Sequence, residues 1–335
     1  MDSRKSSAPL IRTKLHRPSV PFDVVGRDRL LRLMGRAVEV PLTLVSAPAG
    51  YGKSVLVAQW AEHCDHPVAW LSLDEDESDL RLFLQYLVAA VHTVADDACR
   101  ATTELLQATE LPPPSVLAGH LLNDFEALGQ PLAIVLDDYH RIQISSPVHD
   151  LMGRLLEHPP SSVRLVLVTR RDPPLPFMSL LAGNQVAAVR LEELRFTGGE
   201  TAEVISATAD LAVSNHALSK LEQQVEGWAA GLRLVVLALR HAVDPETLLS
   251  GLGGGLPQTR AYLLREALSG LPPENRDWLL KSSILDRFCP GLLEAVCSPV
   301  AASAPPGLTG RKFLDLIQRE NLFTIALDTR DEWFR

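Results

Sequence analysis

Residues Ala47-Pro-Ala-Gly-Tyr-Gly-Lys-Ser54 lie between an apolar run, Leu42–Ser46, and an apolar segment, Val55–Trp60. Strand, glycine loop and helix in that order form the setting a phosphate-cradling loop requires. Gly50 and Gly52 can take backbone angles closed to other residues, so the chain can wrap tightly round an anion. Loop amides and the free N–H groups at the start of the next helix would then face the phosphates. Lys53 would bring a mobile cation to the β- and γ-phosphates, and Ser54 a hydroxyl for Mg²⁺. The nucleotide-contacting candidates are Ala47, Pro48, Ala49, Gly50, Tyr51, Gly52, Lys53, Ser54 and Val55. Ala47 stands where the usual pattern has glycine, a mild departure that leaves the lysine and serine intact. The competing reading is a glycine turn before an ordinary buried helix.

With 335 residues the chain is long enough for two or three domains. Its 46% hydrophobic content supports a real core, and its net charge of −9 argues against a dedicated nucleic-acid-binding surface. No apolar run approaches the roughly 20 residues of a membrane span, and the polar N-terminus lacks a signal core. These features lead to the expectation of a cytoplasmic protein. Cys64, Cys99, Cys289 and Cys297 are scattered without metal-ligand spacing, which points to isolated thiols.

Further apolar runs read as strands at 66–73, 131–136, 163–169 and 185–190, with helices at 80–91 and from 114 to 128. Runs without polar alternation suit strands buried on both faces, and strands alternating with helices predict a doubly wound parallel sheet. Ligands of such sheets sit at the carboxyl ends of the strands. The glycine loop, Asp137-Asp138 and Arg170 all fall at such ends. Asp137 is placed to hold Mg²⁺ through water, and Asp138 to orient or deprotonate an attacking water. Arg170 could read the γ-phosphate or be a surface residue of a Pro-rich loop, and Arg171 competes for the role. His140 is a relay candidate or a loop residue. Tyr51 could stack on a base or cover the site.

Beyond residue 190 the strand signals fade. Thr197 and Glu200 have capping-box spacing, and helices are expected at 218–231, 232–240, 262–271, 273–283, 291–296 and 311–319. Gly251–Gly255 reads as a hinge or a linker. A strand at 322–327, a turn at 328–331 and a second strand starting at 332 complete a winged helix. Because the chain stops inside that strand, it reads as a piece of a longer one. The expected domains are a lead segment over 1–24, a nucleotide-binding domain over 25–192, a helical domain over 193–250 and a winged-helix domain over 251–335.

Leu10–Pro18, Val25–Arg29, Ala47–Ser54, Trp70–Asp74, Val135–His140 and Gly227-Trp-Ala-Ala-Gly-Leu232 together resemble the MalT-like branch of the STAND ATPases, large ATP-binding bacterial regulators of the LuxR type. The resemblance runs from about residue 10 to the end. It implies an α/β P-loop domain, a helical domain and a winged helix, with Val25, Gly26 and Arg27 on the adenine side of the pocket. ATP or ADP with Mg²⁺ would be the ligands. ADP would hold a closed monomer; inducer and ATP would open it into an oligomer that activates transcription, and hydrolysis would reset it. The inducer sensor, the DNA-binding helix-turn-helix and a β-phosphate-reading histidine would lie beyond Arg335. Other readings are a steadily working motor ATPase, a small-molecule kinase, which should carry a second pocket and an arginine-rich lid, or a scaffold that keeps nucleotide as a structural part.

Overall fold

A computed structural model describes residues 9–18, 20, 25–209, 218–219, 221–222, 225–240, 272–285, 288–297, 308–319 and 333–334. The chain divides into two compact units. One comprises Met1–Ala47 with Gly52–Arg195; the other comprises the loop crown Pro48–Tyr51 with Phe196–Arg335.

In the first unit five parallel strands form one sheet: β1 (Leu42–Ser46), β2 (Val68–Ser72), β3 (Leu132–Asp137), β4 (Val163–Thr169) and β5 (Val186–Val189), in the order β2-β3-β4-β1-β5. Every residue of β1 and β3 is buried, which is why these runs carry no polar alternation. Leu42, Leu44, Ile134, Leu136, Leu165 and Leu167 share a core with the helices Leu80–His92, Pro114–Glu126 and Val148–Glu157. Residues of the other parity, Val45, Val135, Val166 and Val168, are equally buried, so both faces of the sheet are covered. Asp79 caps the helix at Leu80 by accepting from the Leu82 amide at 2.9 Å. Pro114 sits in the first turn of its helix, where no amide hydrogen is needed.

The order puts β1 between β4 and β5, with β4 separating it from β3. The chain leaves β1 for β2 at the far edge, returns strand by strand to β4, and crosses β1 to reach β5. The register pairs Ser46 with Thr169 and Leu136 with Leu167, so the carboxyl ends of β1, β3 and β4 lie level. The expected doubly wound parallel sheet is found, with β1 and β4 as expected and the ends of β2, β3 and β5 shifted by one or two residues. Two short helices, Arg100–Leu106 and Leu191–Leu194, had no periodic signal strong enough to be expected.

The lead segment is tied down by charge. Lys14 reaches Glu77 at 2.6 Å and Asp74 at 2.5 Å and lies over the Tyr86 ring, whose hydroxyl accepts from the Ile11 amide at 3.0 Å. The Glu77 side chain is fully buried.

Among the described residues the second unit has two small cores. Helix 198–209 opens with the expected capping box: the Glu200 amide donates to the Thr197 hydroxyl at 3.3 Å and the Thr197 amide to the Glu200 carboxylate at 2.9 Å. It packs with helix 229–240 through Ile205, Leu221, Leu232 and Val235. The expected break at 231–232 is incorrect. Glu226 and Gly227 both take left-handed angles, φ 48° and 71°, so the chain turns there and helix 229–240 runs through 231 without interruption. Pro273–Ser282, Pro290–Cys297 and Gly310–Arg319 form the other core around Trp278, Leu293 and Phe313. Phe288 and Phe334 pair there as an antiparallel bridge, their rings stacked 6.1 Å apart. The hinge expected at 251–255, the helix at 262–271 and the strand at 322–327 lie outside the described residues.

Removing one partner from a buried ion pair leaves the other charge uncompensated. Lys14→Met should therefore lower stability by about 3 kcal/mol at pH 7, with much of the loss recovered in Lys14→Met/Glu77→Gln. Urea unfolding of the single and double variants checks this.

Candidate nucleotide-binding site

Helix α2, Lys53–Glu62, starts directly after the glycine loop, with Gly52 as its left-handed N-cap (φ 78°). The first-turn amides, which have no acceptor within the helix, and their positive dipole end lie where the loop meets the helix. Lys53 and Ser54 are its first two residues, so the helix start carries both a cation and a hydroxyl.

Ser54 donates to Asp137 Oδ1 at 2.9 Å, and the Asp138 amide donates to the same oxygen at 2.9 Å. One hydrogen bond thus ties the helix after β1 to the end of β3 past the intervening β4. Asp137 is only 5% exposed. Burial, then the neighbouring Asp138 charge, push its carboxyl up to about 6, while Ser54, the Asp138 amide and Lys53 pull the other way. Asp138 itself is left-handed at φ 57° and ψ 35°. That turn sends the two adjacent carboxylates apart, Asp137 inward and Asp138 to a half-exposed position. A left-handed non-glycine residue costs on the order of 1 kcal/mol, and such strain collects at functional turns.

The turn is braced from behind. His149 Nε2 lies 3.0 Å from the Gln143 carbonyl, which can only accept, so this nitrogen carries the proton and Nδ1 accepts from the Tyr139 hydroxyl at 3.1 Å. Tyr139 is fully buried. His140 is held neutral by burial and by the cations Arg170 and Lys53. Its Nδ1 lies 3.9 Å from Asp138 Oδ1.

The two arginines after β4 differ in employment. Arg171 donates to the His140 carbonyl at 3.2 Å, and its own amide and carbonyl both bond the Thr169 hydroxyl. It braces the turn. Arg170 stands close enough to Lys53 and His140 to depress the pKa of both. Lys53 is 8% exposed, and burial and then Arg170 lower it to about 8 despite Asp138 and Asp137. Lys53 and Arg170 thus stand close together beside the Asp137 and Asp138 carboxylates, and titration perturbed in this way collects at functional sites.

Arg27 is buried and donates to the Leu194 and Arg195 carbonyls at 2.9 and 2.7 Å, while Arg29 donates to the Glu193 carbonyl at 2.8 Å. The Val25–Arg27 segment therefore anchors the end of this unit. Val25 is half-buried and Gly26 exposed. Among the described residues no cluster of three or more histidine, cysteine or acidic side chains is arranged for a metal ion. Hard oxygens from Ser54 and Asp137, 2.9 Å apart, suit a Mg²⁺ ion that keeps water and phosphate for its remaining ligands. In the crown of the loop Gly50 has φ 79°, and Ala49 O accepts from the Trp228 indole at 3.1 Å, a partnership no loop motif announces.

A parallel sheet with a lysine-bearing glycine loop after β1, an aspartate pair after β3 and an arginine after β4 defines a P-loop ATPase, which binds nucleotide. A family model described as AAA ATPase domain matches residues 23–168, and one described as MalT winged helix domain matches 264–335. The chain is 32% identical over 329 residues to the HTH-type transcriptional regulator MalT of Serratia proteamaculans (strain 568), a match covering 97% of this chain and 35% of that protein. It is 30% identical over 325 residues to the serine/threonine-protein kinase PknK of Mycobacterium tuberculosis (strain ATCC 25618 / H37Rv), covering 96% and 28%. Among solved structures it resembles a Walker-type ATPase of Pyrococcus abyssi, with a TM-score of 0.61, 14% identity and 95% of each chain covered. It also resembles a STAND protein with a tetratricopeptide repeat sensor from Pyrococcus horikoshii, with a TM-score of 0.51, 16% identity, and 98% of this chain and 42% of that one covered. The chain belongs to the MalT-like branch of the STAND P-loop ATPases, and it spans about a third of the length of the curated relatives it matches. No helix among the described residues is long and apolar enough to cross a membrane.

Phosphate binding needs Lys53 charged and the Asp137 carboxylate ionised. Protonated Lys53 is lost as pH rises through about 8, and ionised Asp137 is lost as pH falls through about 6. Nucleotide affinity should therefore peak between these values and fall by up to tenfold per pH unit above 8. Calorimetric titration from pH 5 to pH 10 checks this, with proton uptake on binding expected near pH 8.5.

Proposed function

We propose that this chain is the ATP/ADP-binding switch module of a bacterial signal-transduction regulator. The observation that carries the reading is the convergence of Lys53, Ser54, Asp137, Asp138 and Arg170 at three level strand ends. Loop residues Ala47–Val55 enclose the phosphates, with Lys53 as the mobile cation. Val25, Gly26 and Arg27 flank the adenine; the Arg27 guanidinium is committed to the 194–195 carbonyls, so recognition there falls to the backbone and Val25. When bound, Mg²⁺ neutralises phosphate charge next to Ser54 and Asp137.

Hydrolysis then depends on Asp138. Its half-exposed carboxylate accepts a proton from water as the water oxygen adds to the γ-phosphorus and the bond to the β–γ bridging oxygen breaks, giving ADP and phosphate. Asp137, held by two hydrogen bonds, stays in place throughout. Arg170 meets the γ-phosphate and so separates ATP from ADP. A ligand shifts a conformational equilibrium only through differential affinity for its states, and a contact made by the γ-phosphate alone provides that difference.

Exchange of ADP for ATP would open the module and allow self-association, and slow hydrolysis would return it to rest. Its relatives carry the names of a transcriptional regulator and a protein kinase. In this reading the switch is common and the output differs: an inducer sensor and a DNA-binding or kinase element lie outside the portion shared with this chain. The occurrence of the same module under two outputs favours a switch over a motor or a small-molecule kinase.

Lys53→Ala should abolish nucleotide binding in equilibrium titration; unchanged affinity would remove the loop from the site. Arg170→Ala should weaken a non-hydrolysable ATP analogue about tenfold while leaving ADP affinity unchanged, as expected for a charge-assisted contact to the γ-phosphate. Asp138→Ala should retain ATP binding and slow phosphate release at least a hundredfold.

A further inference from the structure

The motif Gly227-Trp-Ala-Ala-Gly231 has a geometry that nucleotide contacts at Lys53 and Asp137 leave unexplained. Within the second unit it grips the crown of the glycine loop. The Trp228 indole donates to Ala49 O at 3.1 Å, and the Ala230 amide donates to Gly50 O at 2.8 Å. Ala230 is the second residue of its helix, so its amide has no partner within that helix and is available to the loop.

The residues around Trp228 and Ala230 also serve this contact. Glu226 and Gly227, both left-handed, swing the chain so that Trp228 precedes the helix instead of lying along it. The Gly227 carbonyl accepts from the Phe196 amide at 2.9 Å, fixing the turn. A Cβ on Gly231 would collide with the six-membered ring of Trp228. A Cβ on Gly50 would fall 2.5 Å from the indole nitrogen, and φ 79° already demands glycine there. Gly50 is thus required from two directions: by its own backbone angle and by the ring that covers it.

In a trans peptide the carbonyl and the following N–H point opposite ways. Holding the Ala49 carbonyl toward Trp228 turns the Gly50 N–H away from it, and holding the Gly50 carbonyl toward Ala230 does the same for the Tyr51 N–H. We infer that Trp228 and Ala230 are positioning residues that set the two peptide planes at the crown of the loop, so that the Gly50 and Tyr51 amides are presented to phosphate before any ligand arrives. The inference rests on the nucleotide reading given above and adds a means of regulation. Because coupling is reciprocal, a displacement of the Gly227–Gly231 turn weakens phosphate binding, and bound phosphate in turn holds the turn in place.

The test uses the full chain and two variants. Trp228→Phe keeps an aromatic ring, though a smaller one, and removes the N–H. Ala230→Pro removes the amide hydrogen at a first-turn position where proline is tolerated. Each deletes one neutral hydrogen bond, so each should weaken both ADP and ATP about three- to tenfold in equilibrium titration. Backbone order parameters at Gly50 and Tyr51 in the ligand-free variants should fall as the two peptide planes lose their anchors, a readout that loss of global stability measured by urea unfolding does not mimic when the unfolding midpoint is retained. If either folded variant binds both nucleotides as wild type does, with unchanged order parameters at Gly50 and Tyr51, the inference is overturned. If wild-type protein itself binds neither nucleotide, the nucleotide reading fails instead. Should Trp228→Phe not fold, Ala230→Pro decides the matter alone.

Discussion

The hydrogen bond from Ser54 to Asp137 joins what the sheet keeps apart. Their strands are not neighbours: β4 lies between β1 and β3. A hydroxyl at the start of α2 can reach a carboxylate at the end of β3 only if the three carboxyl ends are level and the loop after β1 is short. Both conditions follow from the register and from Gly52, which turns the chain into α2 within one residue. Lys53 precedes Ser54 and Asp138 follows Asp137, so the bond also limits where these two neighbours stand. Burial is the first cause of both the raised Asp137 and the lowered Lys53 pKa, followed by the like charge beside each, Asp138 and Arg170.

Much of this was legible in the chain. Buried parallel strands announce themselves as unbroken apolar runs, and Leu42–Ser46 and Val163–Thr169 were placed to the residue. The convergence of Lys53, Asp137 and Arg170 followed from a general rule about strand ends. Less visible were features that depend on long-range packing. Sequence alone left Arg170 and Arg171 as rivals, and the bond from Arg171 to the His140 carbonyl is what marks Arg171 as a brace. Arg27 read as a pocket residue, yet its guanidinium holds carbonyls at positions 194 and 195; nothing local to Val25–Arg29 encodes a partner that far along the chain. The turn at Glu226-Gly227 was missed because a left-handed glutamate has no composition signal, while the flanking residues keep a helical period.

A generic phosphate cradle and a regulated one differ in what fixes the cradle. In this chain part of the loop's geometry is set from within the second unit: the loop crown Pro48–Tyr51 groups with residues 196–335, and its two outward carbonyls have donors from Trp228 and Ala230. On the inference drawn above, nucleotide affinity and the placement of the Gly227–Gly231 turn would be two sides of one equilibrium. That arrangement suits a protein whose occupancy carries information, since what matters is which nucleotide is held and for how long.

The most direct measurement is of the nucleotide that accompanies the purified chain. On denaturation a switch at rest should release close to one equivalent of ADP, and exchange of that ADP for added ATP should be slow. A chain that comes free of nucleotide and turns over added ATP rapidly and steadily would contradict the account, and would make the site the engine of an enzyme instead of the memory of a switch.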